Sequence, residues 1–171
     1  VSDMAFAFPG TALTGAITFK MPERTFGSDK PLTGSLTYVM SVNEEQKSTG
    51  SAQPGEVVRV PLTVSKAGEY RVAVRVENAA GLSPLTQITG WIGSDMVSEP
   101  QNVTLKRNYA DGTMTLTWDA PDNTSHGGYF DPAQVTYEIV RLPDKVSVAT
   151  NLGQTTFTEV VPDAATFSLY S

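Results

Sequence analysis

The 171-residue chain has no cysteine and a single histidine. Without cysteine there is no disulfide scaffold, no thiolate metal site and no thiol nucleophile. That absence leaves the compartment open, since many secreted bacterial domains do without disulfides. Long apolar runs are also missing. None approaches the roughly 18 residues of a spanning helix, so direct membrane insertion of this segment is not expected. Cations are few: 12 Lys and Arg stand against 18 Asp and Glu, for a formal net charge of −6. Nucleic acid and anionic membrane both need clustered Lys and Arg, so neither is expected as a partner. Nothing at the start reads as a leader, and Val1 is not an initiator Met. The chain is therefore expected to be a processed or excised piece of something longer.

What is present is a globular composition, 40% hydrophobic and 18% charged. Helical periodicity of any length is scarce. Short alternating runs separated by Gly, Pro, Asn and Ser recur instead, the pattern of an all-β sandwich. The clearest is Glu69 to Gly81. Tyr70, Val72, Val74 and Val76 share one face, and Arg71, Ala73, Arg75 and Glu77 share the other, as a half-buried strand requires. Before it come candidate strands at Met4–Phe8, Gly15–Met21, Leu36–Val42 and Val57–Val64. The inward sets are Ile17, Phe19 and Met21, then Leu36, Tyr38 and Met40, then Val58, Val60, Leu62 and Val64. Pro61 places the fourth strand at a sheet edge or a bulge, because proline cannot donate to a ladder. Asn43 to Gly55 is polar, with room for a short edge strand. Ser83 to Ile92 closes the module.

Gly93 to Pro100 then reads as a short, restricted linker. Trp91 and Ile92 before it, and Met96 and Val97 within it, fit either a small contact at the joint or packing under their own sheet. After the linker the pattern repeats. Asn102–Lys106 is a first strand. Thr113–Trp118 aligns Met114, Leu116 and Trp118 with Ile17, Phe19 and Met21. Val135–Arg141 aligns Tyr137 with Tyr38 and Ile139 with Met40. An internal repeat of about 100 residues means two copies of one domain type.

These residues resemble the fibronectin type III family over essentially the whole chain. In the second module the resemblance rests on Trp118, Pro121, Tyr137, Ile139 and Arg141. In the first it rests on Val64 followed six positions later by Tyr70, then Val72, Val74, Asn78, Gly81 and Ser83. The Val64–Tyr70 spacing resembles the tyrosine corner, where a Tyr hydroxyl returns to the backbone across the connection between strands E and F. The resemblance implies two tandem immunoglobulin-like β-sandwiches, at residues 1–94 and 97–171. Met21 stands where the family usually has Trp, a gap Met can fill with less rigidity. In the second module Val160 to Ala165 resembles the turn before the corner, with Phe167 at the Tyr position. That module would be truncated, lacking most of strand F and all of strand G, which leaves an inner face and a strand edge open. The full protein is expected to continue past Ser171, or the missing strands to come from another chain by strand complementation or dimerisation.

Catalytic chemistry finds little footing. His126 lies in a Gly-containing loop, Asn123 to Gly128, with Ser125 beside it, and neighbours in sequence rarely face each other as base and nucleophile. It reads as a solvated loop residue. No Gly-x-Ser-x-Gly elbow and no Gly-rich phosphate loop occurs. Asp119, Asp122 and Asp131 bracket the same loop without the spacing of a calcium loop, and read as solvated carboxylates. Glu44 and Glu45 read as surface charge. Arg71 and Arg75 read as a cross-strand-paired basic row on an outer sheet face. Asn102-Val-Thr104 and Asn123-Thr-Ser125 match the N-glycosylation pattern, which chance often produces. The integrin-binding tripeptide Arg-Gly-Asp is absent. Tyr129 and Phe130 follow two glycines at a loop tip and are the candidate binding anchors, since exposed aromatics on rigid scaffolds often bind proteins or sugars.

The expectation is therefore a non-catalytic module pair for adhesion, protein interaction and domain spacing, with no cofactor, no metal and a protein or glycan ligand. The resemblance implies an extracellular or bacterial cell-surface location. The competing expectation is a pair of accessory modules of a secreted glycan- or protein-degrading enzyme, with direct carbohydrate binding through the Tyr129 loop as a further variant.

Overall fold

The computed structural model describes residues 1–142, 144–161 and 169–170, the last two as backbone only. Phe167, Ser171 and most of the Val160–Ala165 turn lie outside the described residues. The chain is all-β and divides into two compact units. The first is Val1–Met96 with Thr124–Phe130; the second is Val97–Asn123 with Asp131–Ser171. Among the described residues no helix is long and apolar enough to cross a membrane.

The first unit is built from two antiparallel sheets. One has the order β1 (Ser2–Ala7), β2 (Thr14–Lys20), β5 (Val57–Thr63). The other has the order β4 (Glu45–Ala52), β3 (Leu36–Val42), β6 (Gly68–Asn78), and β6 then pairs with β7 (Gly81–Leu82) and β8 (Thr86–Ile92). With strands lettered in chain order these are A, B, E and C′, C, F, G, the immunoglobulin-like arrangement. Alternation decides which faces meet. Ile17, Phe19 and Met21 from one sheet are buried with Met40, Val72 and Val74 from the other. Phe19 meets Tyr38 edge-on, with ring centroids 5.3 Å apart. Each such large apolar side chain withdrawn from water contributes roughly 1.5–3 kcal/mol. Met21 is fully buried.

Local chemistry places the turns. Pro61 lies on β5, an edge strand whose one neighbour is β2, so its missing N–H leaves no ladder bond unmade. The Tyr70 hydroxyl donates to the Lys66 carbonyl at 2.9 Å, pinning the β5–β6 connection as a tyrosine corner does. Asn43 and Glu44 both have positive φ, +48° and +70°, which makes a tight two-residue hairpin into β4. β4 is eight residues long, although Ser, Thr, Gly and Gln make it the least apolar strand of the unit. The closing strand expected at Ser83–Ile92 is β8, shorter at its start, and the two-residue β7 precedes it. Between them Ser83 returns to the ladder: its hydroxyl accepts the Val76 N–H at 2.9 Å, and its own N–H donates to the Val76 carbonyl at 2.7 Å.

The second unit also has two sheets. One has the order β13 (Thr156–Val160), β10 (Thr113–Asp119), β9 (Gln101–Asn108). The other has the order β12 (Val146–Leu152), β11 (Tyr137–Leu142), β14 (Leu169–Tyr170). Its buried centre is Leu116, Trp118 and Ile139, with Trp118 edge-on to Tyr137 at 5.1 Å. A 3₁₀ turn, Pro132–Gln134, is capped by the Asp131 carboxylate, which accepts the Ala133 N–H.

Candidate functional site

The loop that carries His126, Tyr129 and Phe130 belongs to the first unit and is fastened there by its backbone. The Tyr129 N–H donates to the Gly93 carbonyl at 3.1 Å, and the Tyr129 carbonyl accepts the Asp95 N–H at 2.9 Å. The Ser125 N–H donates to the Met96 carbonyl at 2.9 Å. Ser94 and Tyr129 form a parallel bridge.

Asp95 is the centre of this arrangement. Its side chain has no exposed surface, and it accepts hydrogen bonds from the N–H groups of His126 at 2.8 Å and Gly128 at 3.2 Å. It also pairs with His126 Nδ1 at 2.9 Å. Burial by itself would push the Asp95 carboxyl up. The bonds from the His126 ring and from the His126 and Gly128 N–H groups outweigh it and hold the carboxyl well below its ordinary range. An ionised carboxylate only accepts, so Nδ1 of His126 carries the hydrogen. The imidazole lies flat on Trp91, with ring centroids 4.4 Å apart and planes 11° apart. The Trp91 indole N–H is bound to the Ser94 carbonyl at 2.9 Å.

As expected, His126 is an exposed loop residue. The ring keeps 44% exposure, but it is stacked and bonded on a partner 31 positions away in sequence. Gly127 and Gly128 are what let the loop sit so close. Gly127 has φ +79°. A Cβ on Gly128 would collide with Trp91 Cδ1 and would lie 2.6 Å from Asp95 Cβ. Asp95 itself was not singled out from the sequence. The available signal was an Asp four residues after a Trp, with a His-Gly-Gly run later in the chain.

Tyr129, one of the two candidate anchors, is 42% exposed, and Phe130 is half-buried. The Tyr129 ring lies over Gly10, where a side chain would be in contact at 3.7 Å. Of the three bracketing aspartates, Asp119 accepts from the Asn102 amide at 2.6 Å and Asp131 caps the 3₁₀ turn. Among the described residues, no group of three or more His, Cys, Asp or Glu could hold a metal. Arg71 reaches Glu44 at 3.7 Å.

A second feature escaped the sequence reading. A cleft of about 710 Å³ lies between the connection from β2 to β3 and the β6–β7–β8 turn of the first unit. Arg24, Phe26, Leu32, Leu82 and Pro84 are among its lining residues. Arg24 and Pro31 bridge across the first loop, and the Arg24 guanidinium donates to the Asp29 carbonyl at 2.9 Å, so this polar segment is a small hairpin. Phe26 is 86% exposed, and Leu82 and Leu85 are each 58% exposed.

No family model matches the chain. It is similar to an Ig-like and fibronectin type-III domain-containing protein of Caenorhabditis elegans, 29% identical over 109 residues. That match covers 57% of this chain, which spans 7% of the length of that curated relative. Among solved structures, the chicken CNTN1 FN1–FN3 domains align at 13% identity and TM-score 0.40, covering 92% of this chain and 54% of that one. A two-domain fibronectin type III segment of chicken tenascin aligns at 16% identity and TM-score 0.33, covering 93% and 81%.

Proposed function

We propose that this chain is a non-catalytic, extracellular module pair of fibronectin type III type, serving adhesion or protein interaction. The observation that carries the reading is the loop-built cleft of the first unit. Two loops set on a rigid sandwich hold Phe26 and Leu82 in solvent around a concave surface. Apolar anchors at the rim of a pocket are the usual source of binding energy in protein interfaces. Loops on a stable frame are where such sites are found. The nematode relative, with immunoglobulin-like and fibronectin type III domains named together, supports a modular setting.

The test is a combined Phe26→Ser and Leu82→Ser variant, probed beside the parent chain against arrays of extracellular proteins and glycans. Both side chains are exposed, so the thermal midpoint should stay within a few degrees. Loss of the parent's protein ligands supports the reading. An unchanged binding profile overturns it.

A second reading rests on Tyr129, whose ring is held over Gly10 with 42% exposure. A fixed aromatic face suits a sugar ring, as in accessory modules of glycan-degrading enzymes. Tyr129→Ala should then abolish signals on the glycan array while sparing those on the protein array. Glycan signals that survive the substitution would sink it.

A further inference from the structure

We propose that the outer face of the β4–β3–β6–β8 sheet holds a carboxylate-binding site, in which Arg75 grips an acidic side chain of a protein partner while Val39 and Leu85 contact an apolar residue beside it. A hollow of about 400 Å³ lies on this face. None of its lining residues lines the cleft described above. The register explains the hollow. Alternation turns Arg71, Ala73 and Arg75 outward, while Val72 and Val74 go to the core. Ala73 stands opposite Ser41 on β3 and Gln87 on β8, and Ser41 stands opposite Gln46 on β4. Two small residues thus form the floor, with a long carboxamide on either side and an arginine at each end along β6.

The walls offer donors. An arginine carries five N–H groups and a glutamine amide two. Arg71 is already engaged by Glu44 across 3.7 Å. Arg75 is not. A row paired across strands was expected, but the residue facing Arg75 on β3 is Val39, and among the described residues its guanidinium has no acid partner. Neither Gln46 nor Gln87 has a hydrogen-bond partner among the described residues. A guanidinium meets a carboxylate with two parallel N–H bonds, and such charge-assisted pairs are roughly twice as strong as neutral ones.

Charge decides which anion fits. Three acids surround the arginines: Glu44 at the hairpin, and Glu69 and Glu77 at the two ends of the same β6 face. The chain as a whole carries −6. A sulfated polysaccharide or other polyanion needs a run of cations and would meet these acids. A single carboxylate needs one fork and passes between them. Leu85, 58% exposed, and the half-buried Val39 line the hollow with Arg75. An apolar side chain next to the acid covers them, and excluding water there strengthens the pair. The occupant is therefore a peptide segment in which a Glu or Asp adjoins an apolar residue.

The probe is the capped dipeptide acetyl-Leu-Glu-amide, titrated into the ¹⁵N-labelled 171-residue chain. Saturable shift changes are expected at the Ala73, Arg75 and Gln87 amides and at the Arg75 Nε–H. Exchanging the dipeptide for acetyl-Leu-Gln-amide, or the protein for Arg75→Gln, should each weaken binding about tenfold, the worth of one charge-assisted bond. Arg75→Lys keeps the charge without the fork and should recover only part of that loss. Both variants change an exposed side chain, so folding is spared. The Phe26→Ser and Leu82→Ser variant should bind the dipeptide as the parent does, which separates this site from the cleft. Equal binding of the two dipeptides, binding that survives Arg75→Gln, or no saturable shift at these amides up to the solubility limit would overturn the proposal. So would loss of binding in the cleft variant, or a heparin oligosaccharide that binds the same amides more tightly than the dipeptide.

Discussion

The Asp95 carboxylate, screened entirely from solvent at its side chain, accepts a hydrogen bond from His126 Nδ1 at 2.9 Å. It also accepts the N–H of His126 itself, so a single acid fixes both the ring and the backbone of one residue. That double hold, with Trp91 beneath the ring, turns a glycine-rich loop into an ordered part of the first unit.

The first prediction concerns acid. The Asp95 carboxyl is held below its ordinary value in the folded chain, while the unfolded chain titrates near the usual value of about 3.9. A depressed folded value means the unfolded state binds the proton first as pH falls. The stabilisation from ionised Asp95 is therefore fully present above about pH 4 and is lost as pH drops toward the folded value. Urea midpoints of the parent and Asp95→Asn should differ by a constant amount from pH 7 to about 4. The gap should narrow steadily below that. A gap of full size at pH 2 would contradict the assignment.

Gly128→Ala should destabilise the first unit. Its Cβ would collide with the edge of Trp91 and press on Asp95 Cβ at 2.6 Å, and the Asp95 side chain is fully enclosed. Overpacking of this kind costs about 1–3 kcal/mol. Thermal denaturation followed by tryptophan fluorescence would show it. An unshifted midpoint would mean the loop detaches at no cost.

Tyr70→Phe removes the hydroxyl that binds the Lys66 carbonyl and nothing else. The loss should be about 1 kcal/mol, the net worth of an ordinary hydrogen bond. Chemical denaturation of the two proteins measures it directly, and an equal midpoint would demote the corner to a contact without energetic weight.

Phe19→Ala tests the centre of the first unit. Phe19 is fully buried and packs edge-on to Tyr38. The transfer and cavity costs together should be about 3–5 kcal/mol. Phe26→Ala, at an 86% exposed ring, should move stability by less than about 0.5 kcal/mol. Comparable losses from both substitutions would mean that burial does not rank them.

Much of the fold was legible because a strand has a side-chain period of two. Val72 and Val74 read as inward from their spacing, and both are fully buried. Pro61 announced an edge or a bulge, and β5 is an edge. The Val64–Tyr70 spacing announced the corner, and the Tyr70 hydroxyl makes that bond. β4 was harder to see because an edge strand with few apolar residues leaves no alternation to find. The break between β7 and β8 depends on Ser83 replacing a ladder position with its hydroxyl, which no periodicity records.

The site was less legible than the frame. The hold on His126 was not legible because its partners, Asp95 and Trp91, are more than thirty positions away, and sequence distance says nothing of spatial distance. The cleft around Phe26 escaped notice because its two loops are some fifty residues apart and meet only once the sandwich closes.

By itself, then, the sequence determined the apolar strands of the first unit, their inward faces and the doubling of the module, because these follow from short-range alternation and turn chemistry. Only the tertiary structure decided that Asp95 would bury its charge under a distant loop and that Phe26 and Leu82 would line one cleft. Each of those depends on which segments meet across the folded chain, and burial, partners and strand neighbours exist only once they have met.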